Sequence, residues 1–273
     1  MRIMSLNVNR FSGMKDRDYT KSFTKLDECP KANEIVVFVK GFLCGNPDGL
    51  VYLYEIPYCR AKTERPLYGE FLSQFSEKNY KCAIPKDNDR ADSCTIAIWN
   101  KNDRVGETYI RQCNFRRGTP DFRNKFIELA IERGNSVMRV LGIHAPSEMK
   151  KGAISDDKKR EEYNQAVKIF FEDLKNYAVD RKSTPFILAG DLNVREGVKS
   201  IYLEQIHEII KAGYSAEIKD GEITYFMKGP TKGTTIDHVL VSPVLKDRVT
   251  AYVVPQEILK LSDHAVIIVD VQI

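Results

Sequence analysis

No stretch of this sequence comes near the roughly 20 consecutive apolar residues that a helix needs to cross a bilayer, so no membrane-spanning helix is expected. The opening residues, Met1-Arg2-Ile3-Met4-Ser5-Leu6, run straight into a strand-like pattern and lack the apolar segment of a secretion signal. An amphipathic basic helix and a lipidation signal are missing too, which argues against a lipid-directed protein. The six cysteines, at 29, 44, 59, 82, 94 and 113, form no Cys-x-x-Cys, and neither they nor the four histidines fall at zinc-ligand spacing. Several cysteines sit in apolar, strand-like surroundings where a free thiol acts as a small hydrophobe, so reduced thiols and a cytoplasmic protein are expected. An excess of one charge is also lacking. With 42 Lys and Arg against 38 Asp and Glu, the net charge of +4 does not by itself mark a nucleic-acid binder, although it is compatible with a polyanionic substrate. Nor is there an internal repeat, a low-complexity tract or a Gly/Ser/Pro-rich linker. Residues 1–273 are therefore expected to form a single domain, long enough to bury a substantial core.

What the sequence does contain is a series of short, β-branched apolar runs bounded by Gly, Pro, Asp or Asn. They include Ile35–Val39, Gly49–Tyr54, Thr95–Trp99, Phe126–Ile131, Val137–Ile143, Phe186–Ala189, Ile236–Val241, Val249–Val254 and Ala265–Val271. Each has the length and punctuation of a strand. Three segments have helical spacing instead. Leu67, Phe71, Leu72 and Phe75 follow Pro66, Tyr163 to Tyr177 carry a long amphipathic stripe, and Ile201–Ala212 is stopped by Gly213. Strands outnumber helices, and several connections are too short for a helical crossover. The expectation is an α+β protein with mostly antiparallel sheets packed together and helices outside.

Polar residues recur where these runs end. Phe186-Ile187-Leu188-Ala189 opens into Gly190-Asp191-Leu192-Asn193, and on an extended segment Asp191 and Asn193 share a face. A carboxylate and an amide there can hold an oxygen-liking cation, or a water and a phosphate oxygen; a simple Asp-x-Asn turn has the same sequence. Ser262-Asp263-His264 precedes a buried run and places a carboxylate and an imidazole at its mouth, where His264 could be a general base. Asp237 enters another buried run, where a carboxylate needs a partner such as an imidazole N–H. Its neighbour His238 would point the other way, in a surface or packing role. Glu55 ends the run from Leu50, His144 ends the run from Leu141 and leads into Ala145-Pro146-Ser147, and Asn7 and Asn9 end the first strand.

Taken in order, Leu6-Asn7-Val8-Asn9, Glu55, His144-Ala145-Pro146-Ser147, Gly190-Asp191-Leu192-Asn193, Ile236-Asp237-His238 and Ser262-Asp263-His264 resemble the landmarks of the endonuclease/exonuclease/phosphatase superfamily, which includes deoxyribonuclease I and exonuclease III. The resemblance implies a four-layer sandwich of two β-sheets packed face to face with helices outside. It implies a phosphoesterase in which Glu55 is the principal metal ligand, supported by Asn7, with Asp263 at the metal or its water shell. Asp191 and Asn193 would position the attacking water and the scissile phosphate. His264 would be the base or phosphate stabiliser, oriented by Asp237, and His144 the acid on the opposite side. An oxygen-rich ligand set of this kind favours Mg²⁺, with Mn²⁺ as the alternative. Glu55 lies 48 residues after Asn7, longer than the family's usual spacing, which implies an insertion around residues 10–33 that covers the site or folds beside it. Asn9 stands where some relatives carry an acidic ligand and is not counted as one.

The substrate is read from the loops. Residues 114–125 interleave Arg116, Arg117, Arg123 and Lys125 with Phe115 and Phe122, a composition suited to phosphate contacts and base stacking. An ordinary charged loop anchored by its Phe residues would look the same. A second basic cluster, Arg60 to Arg65, follows Glu55. Together with the deoxyribonuclease-like His-Ala-Pro-Ser, these loops favour a nuclease acting on DNA or RNA. The alternatives are a phosphatase or phosphodiesterase acting on a small or lipid phosphate ester, and a non-catalytic nucleic-acid binder. No obligate protein partner is called for, and a monomer is the expectation.

Overall fold

The first strand, β1 (Arg2–Asn7), shows the rule from which the architecture follows. Strand side chains alternate between two faces, and here Ile3 enters one apolar cluster while Met4 and Leu6 enter another. A strand that is apolar on both faces has to be covered on both. The computed structural model describes residues 1–13, 25–57, 65–75, 78–84, 93–101, 105–108, 122–153, 155–195, 198, 201–219, 221–227, 232–254 and 260–272.

After β1 come β2 (Leu50–Pro57), β3 (Tyr80–Ala83), β4 (Ser93–Asn100), β5 (Val105–Thr108), β6 (Phe126–Arg133), β7 (Ser136–His144) and β8 (Phe186–Asp191). The short β9 (Ser215–Ala216), β10 (Tyr225–Phe226) and β11 (Gly233–Thr234) lead to β12 (Asp237–Val241), β13 (Val249–Val254) and β14 (Val266–Val271). Two six-stranded sheets result, in the orders β13-β14-β1-β2-β4-β3 and β5-β6-β7-β8-β12-β9, with β10 and β11 forming a small separate ribbon. Within each large sheet a single neighbouring pair is parallel, β1 with β2 and β7 with β8, and the other pairs are antiparallel.

A parallel pair needs a long crossover, and a helix supplies it in both sheets. Helix α1 (Pro30–Gly45) links β1 to β2, and α3 (Asp157–Val179) links β7 to β8. Helix α2 (Arg65–Ser73) joins α1 on the outer face of the first sheet, while α4 (Ile201–Lys211) packs beside α3 on the outer face of the second. Gly213 follows α4 at φ 106°, a helix stop that only glycine adopts easily. The expected four layers are therefore present, with one apolar cluster between the sheets and one under each helical layer. Buried Glu128 on β6 accepts from Arg139 at 2.8 Å and from the Tyr177 hydroxyl at 2.5 Å, which pins α3 to the second sheet. Among the described residues no helix is long and apolar enough to cross a membrane. Cys29, Cys44, Cys82 and Cys94 are free thiols, and Cys59 and Cys113 lie outside the described residues.

One element differs from its sequence pattern. Ile35–Val39, expected as a strand, lies inside α1. The buried residues Ala32, Ile35, Val36, Val39 and Leu43 recur at helical spacing, and Pro30 opens the first turn. The β-branched run biases the local reading toward a strand, but burial of this face and the crossover requirement decide for helix. The stretch expected as an insertion is partly described. Leu26, Cys29 and Ala32 pack into the core beneath the first sheet, and the Leu26 N–H donates to Glu70 at 2.7 Å, so this part folds beside the sheet and does not cover the cleft.

Candidate active site

Strand register does the first part of the assembly. In the second sheet, His144 at the end of β7 stands beside Asp191 at the end of β8, and Asp191 faces Asp237 at the start of β12. Val140, Ala189 and Val239 on the same strands line the cluster between the sheets, and even spacing sends His144, Asp191 and Asp237 to that same side. In the first sheet Ile3 and Asn7 are related in the same way. The space between the sheets is thus apolar along its length and polar at one end.

Alternation alone would send Glu55 to the helix-covered side with Leu53. Instead the pairing of β2 with β4 slips between Leu53 and Ile56, and Glu55 adopts φ 54°. A bulge with a left-handed residue re-aims the side chain, at a cost of about 1–2 kcal/mol for a residue with a Cβ. The Glu55 carboxylate is buried in the cleft with Oε1 3.3 Å from His144 Nε2. Strain of this kind concentrates where geometry serves chemistry. A second left-handed stretch, Asn9 to Phe11, follows β1; its Asn9 N–H donates to Asn7 Oδ1 at 2.9 Å, while Phe11 is buried against Phe71.

Hydrogen bonds then fix each group. Asn7 Nδ2 donates to Asp191 Oδ2 at 3.0 Å, and the Asn193 N–H donates to Asp191 Oδ1 at 2.9 Å. Asn193 reaches the cleft through a left-handed backbone at φ 54°, which asparagine tolerates, and its Nδ2 donates to the Ala145 carbonyl at 2.8 Å. His264 Nδ1 lies 2.9 Å from Asp237 Oδ2, and because a carboxylate only accepts, this nitrogen donates. The other ring nitrogen, Nε2, turns toward Asp191 Oδ2 at 3.8 Å. Tyr225 packs on the His264 ring with centroids 4.9 Å apart. Thr224 Oγ1 accepts from the N–H groups of both Ile236 and Asp237 at 3.0 Å, holding the entry to β12. His238 points away, as expected, and its Nε2 lies 2.9 Å from the Val194 carbonyl, so it is a buried packing histidine.

Electrostatics follow from this crowding of charge in a buried place. Burial, partly offset by the His264 charge and reinforced by Asp237, lifts the Asp191 carboxyl to about 7. For His264, burial works against the charged ring. Asp237, through its charge and hydrogen bond, together with Asp191 and Asp263 outweighs it and raises the imidazole to about 10. Asp263 is raised by burial, partly offset by His264 and reinforced by the charge of Glu55.

Among the described residues, two groups could hold a cation. Asp191, Asp237 and His264 bring ligand atoms within 4.8 Å of one another, but the Asp237–His264 hydrogen bond already occupies Nδ1. Glu55 and Asp263 both line one cleft, and the Glu55 charge repels the Asp263 carboxylate, a tension a divalent cation would relieve. Oxygen donors of this kind fit Mg²⁺. The cleft, about 470 Å³, is lined by Glu55, Asp191, Asn193, Asp263, His264 and Tyr225 among others.

All eight residues singled out for catalysis and metal binding therefore gather at this end of the sandwich. The substrate loop is different. Arg116 and Arg117 lie outside the described residues, and Arg123 opens a 3₁₀ turn, Arg123–Lys125. Phe122 is unavailable for base stacking, because it is buried edge-on against Tyr163 and Phe170 as a core anchor. Thr224 and Tyr225 carried no signal in the sequence, and Lys125 stood out only as one of the basic residues of the 114–125 loop, with no link to His144.

Residues 84–264 match the sequence profile of the endonuclease/exonuclease/phosphatase family. The chain belongs to that family. The matched span holds His144, Asp191, Asn193, Asp237, Asp263 and His264, whereas Asn7 and Glu55 precede it. Solved structures extend the likeness to the whole fold. The AP endonuclease LMAP of Leishmania major superposes with a TM-score of 0.63 at 14% identity, over 100% of this chain and 88% of that one. TDP2 of Caenorhabditis elegans gives 0.59 at 15%, over 100% and 97%. The endonuclease domain of TRAS1, a telomere-specific non-LTR retrotransposon, gives 0.58 at 10%, over 100% and 98%. At these identities the likeness speaks for the fold alone. No curated protein matches the chain in sequence. As a member of the endonuclease/exonuclease/phosphatase family the chain is a phosphoesterase, and its cleft holds an acidic and histidine cluster suited to a divalent metal.

Proposed function

We propose that the chain is a Mg²⁺-dependent nuclease, with Mn²⁺ as the alternative cofactor, that hydrolyses phosphodiesters in DNA or RNA. The observation that carries this reading is the convergence, in one cleft, of Glu55, Asp191, Asp263 and His264, with Asp237 bonded to His264 behind it. Asp191 and Asn193 position the attacking water and the phosphate, and a buried carboxyl lifted to about 7 is suited to taking a proton near neutrality. His264, held by Asp237 and kept charged by its acidic neighbours, offers Nε2–H to a phosphoryl oxygen, which favours the stabiliser role over that of base. His144 meets the phosphate from the other side. Glu55, with the Asn7 side-chain oxygen and Asp263, would hold the cation, which when bound polarises a phosphoryl oxygen and offsets the charge of the transition state. A nucleic-acid substrate is supported by exposed Lys150 and Arg195 along the cleft, and by the endonuclease names of two of the similar structures.

The test is hydrolysis of supercoiled plasmid and of RNA with Mg²⁺, Mn²⁺ or EDTA, with Asp191→Ala as control. Metal-dependent cutting lost in the control is the expected result. Turnover confined to small phosphate esters, tested in parallel, would overturn the nuclease reading.

A further inference from the structure

Lys125 has none of the roles assigned above, yet its ammonium lies 3.1 Å from Nδ1 of His144. The backbone that carries it is firmly held. Phe122, just before the turn, is buried between Phe170 and Tyr163 with ring centroids 5.5 and 5.9 Å away. Asn124 is buried and donates to the Ser93 carbonyl, and the Lys125 N–H donates to the Phe122 carbonyl at 2.9 Å. The ammonium is therefore presented to His144 by a packed turn.

An ammonium has three donors and no acceptor, so His144 Nδ1 must be the acceptor in this contact. The proton of the neutral ring is then on Nε2. That nitrogen faces the cleft, 3.3 Å from Glu55 Oε1 and 3.7 Å from Asp191 Oδ2. We propose that Lys125 is a positioning residue: it fixes His144 in the Nε2–H tautomer and aims that N–H into the phosphate site. His144 then serves as a hydrogen-bond donor to the phosphate, and not as the acid that releases a proton to the leaving group. This catalytic consequence rests on the phosphodiesterase reading; the tautomer does not.

The two parts are tested separately. Metal-free protein with ¹⁵N-labelled histidine rings, studied by long-range ¹H–¹⁵N correlation at one fixed pH near neutrality, reports which nitrogen carries the proton; His144→Gln identifies the signals. The wild type is expected to show an unprotonated Nδ1 and a protonated Nε2. Lys125→Arg, which keeps a donor, should preserve that pattern, and Lys125→Met, which has none, should move the Nδ1 signal toward the protonated position. A wild-type ring protonated at Nδ1, or a Lys125→Met spectrum identical to wild type, overturns the proposal. With bis(p-nitrophenyl) phosphate and Mg²⁺, Lys125→Met should lower kcat by about 10- to 100-fold with little change in KM, and Lys125→Arg should recover most of the loss. An unchanged kcat removes the positioning role. A wild type that turns over no phosphodiester overturns the proposed function instead, and leaves the tautomer to be decided by the spectra.

Discussion

Tyr54 reaches across the sandwich from the first sheet and donates its hydroxyl proton to the Ala189 carbonyl of the second at 2.9 Å. Room for the ring comes from Gly190, where a Cβ would stand 2.9 Å from the ring and 2.0 Å from the Ile143 carbonyl oxygen. Tyr52 repeats the device. Its hydroxyl donates to the Val140 carbonyl at 2.8 Å, and a Cβ at Gly142 would lie 2.0 Å from its ring. Both tyrosines are fully buried, and burial pushes their hydroxyls well up, so they remain protonated donors. The Tyr54–Ala189 anchor lies two residues from Asp191 and locks the sheets together beneath the cleft.

That lock can be weighed by mutation. A methyl at Gly142 has no space to enter, so Gly142→Ala should lower stability by on the order of 3 kcal/mol. Tyr54→Phe, which leaves the Ala189 carbonyl without this donor, should cost about 1 kcal/mol. Urea unfolding measures both. A Gly142→Ala midpoint equal to wild type would mean that the sheets separate more easily than this packing allows.

His264 and Asp237 should behave as one unit. His264→Ala and Asp237→Asn should each cut turnover by roughly 10²–10⁴-fold. Because Asp237 acts through the ring that it orients, the double variant should be little worse than His264→Ala alone. Multiplying losses, measured as kcat on a single substrate, would show that Asp237 has a separate role.

Glu55 combines strain with charge, so function and stability should move in opposite directions there. Glu55→Gln should raise the Mg²⁺ concentration needed for half-maximal activity. Glu55→Gly, which accepts φ 54° without a Cβ penalty, should instead abolish turnover while stabilising the fold by about 1 kcal/mol. A metal titration that Glu55→Gln leaves unchanged would point to another carboxylate as the ligand.

Thiol reactivity should follow burial. The thiols of Cys82 and Cys94 are each pushed up to about 12 by burial, so near neutrality they are protonated and poor nucleophiles. Among the described cysteines, exposed Cys44 should be alkylated first by iodoacetamide and half-buried Cys82 more slowly, with Cys29 and Cys94 protected until the protein unfolds. Peptide mass spectrometry over time checks the order, and early labelling of Cys94 would show that β4 opens readily.

Local pattern alone determined the longer strands and three of the four described helices, whereas the short β3, β5, β9, β10 and β11 carried no such signal. Runs such as Phe186–Ala189 and Val249–Val254 carry their own punctuation, and α4 carries its own glycine stop. The polar tips at Asn7, His144, Asp191 and Asp237 were legible for the same reason: two-residue alternation places them, and chain order supplied the resemblance. Other features depend on residues far apart in the chain. Ile35–Val39 became helix because two parallel strands need a buried crossover. Glu55 turned into the cleft because of a bulge set by pairing with β4, where alternation would have sent it outward. Lys125 reached His144 because Phe122 found its place in the core beneath α3, and Thr224 and Tyr225 joined the site through a ribbon of two-residue strands. Periodicity records which face a side chain takes on its own element. What it meets there is decided only when distant elements pack, since packing and register are set between segments and not within them.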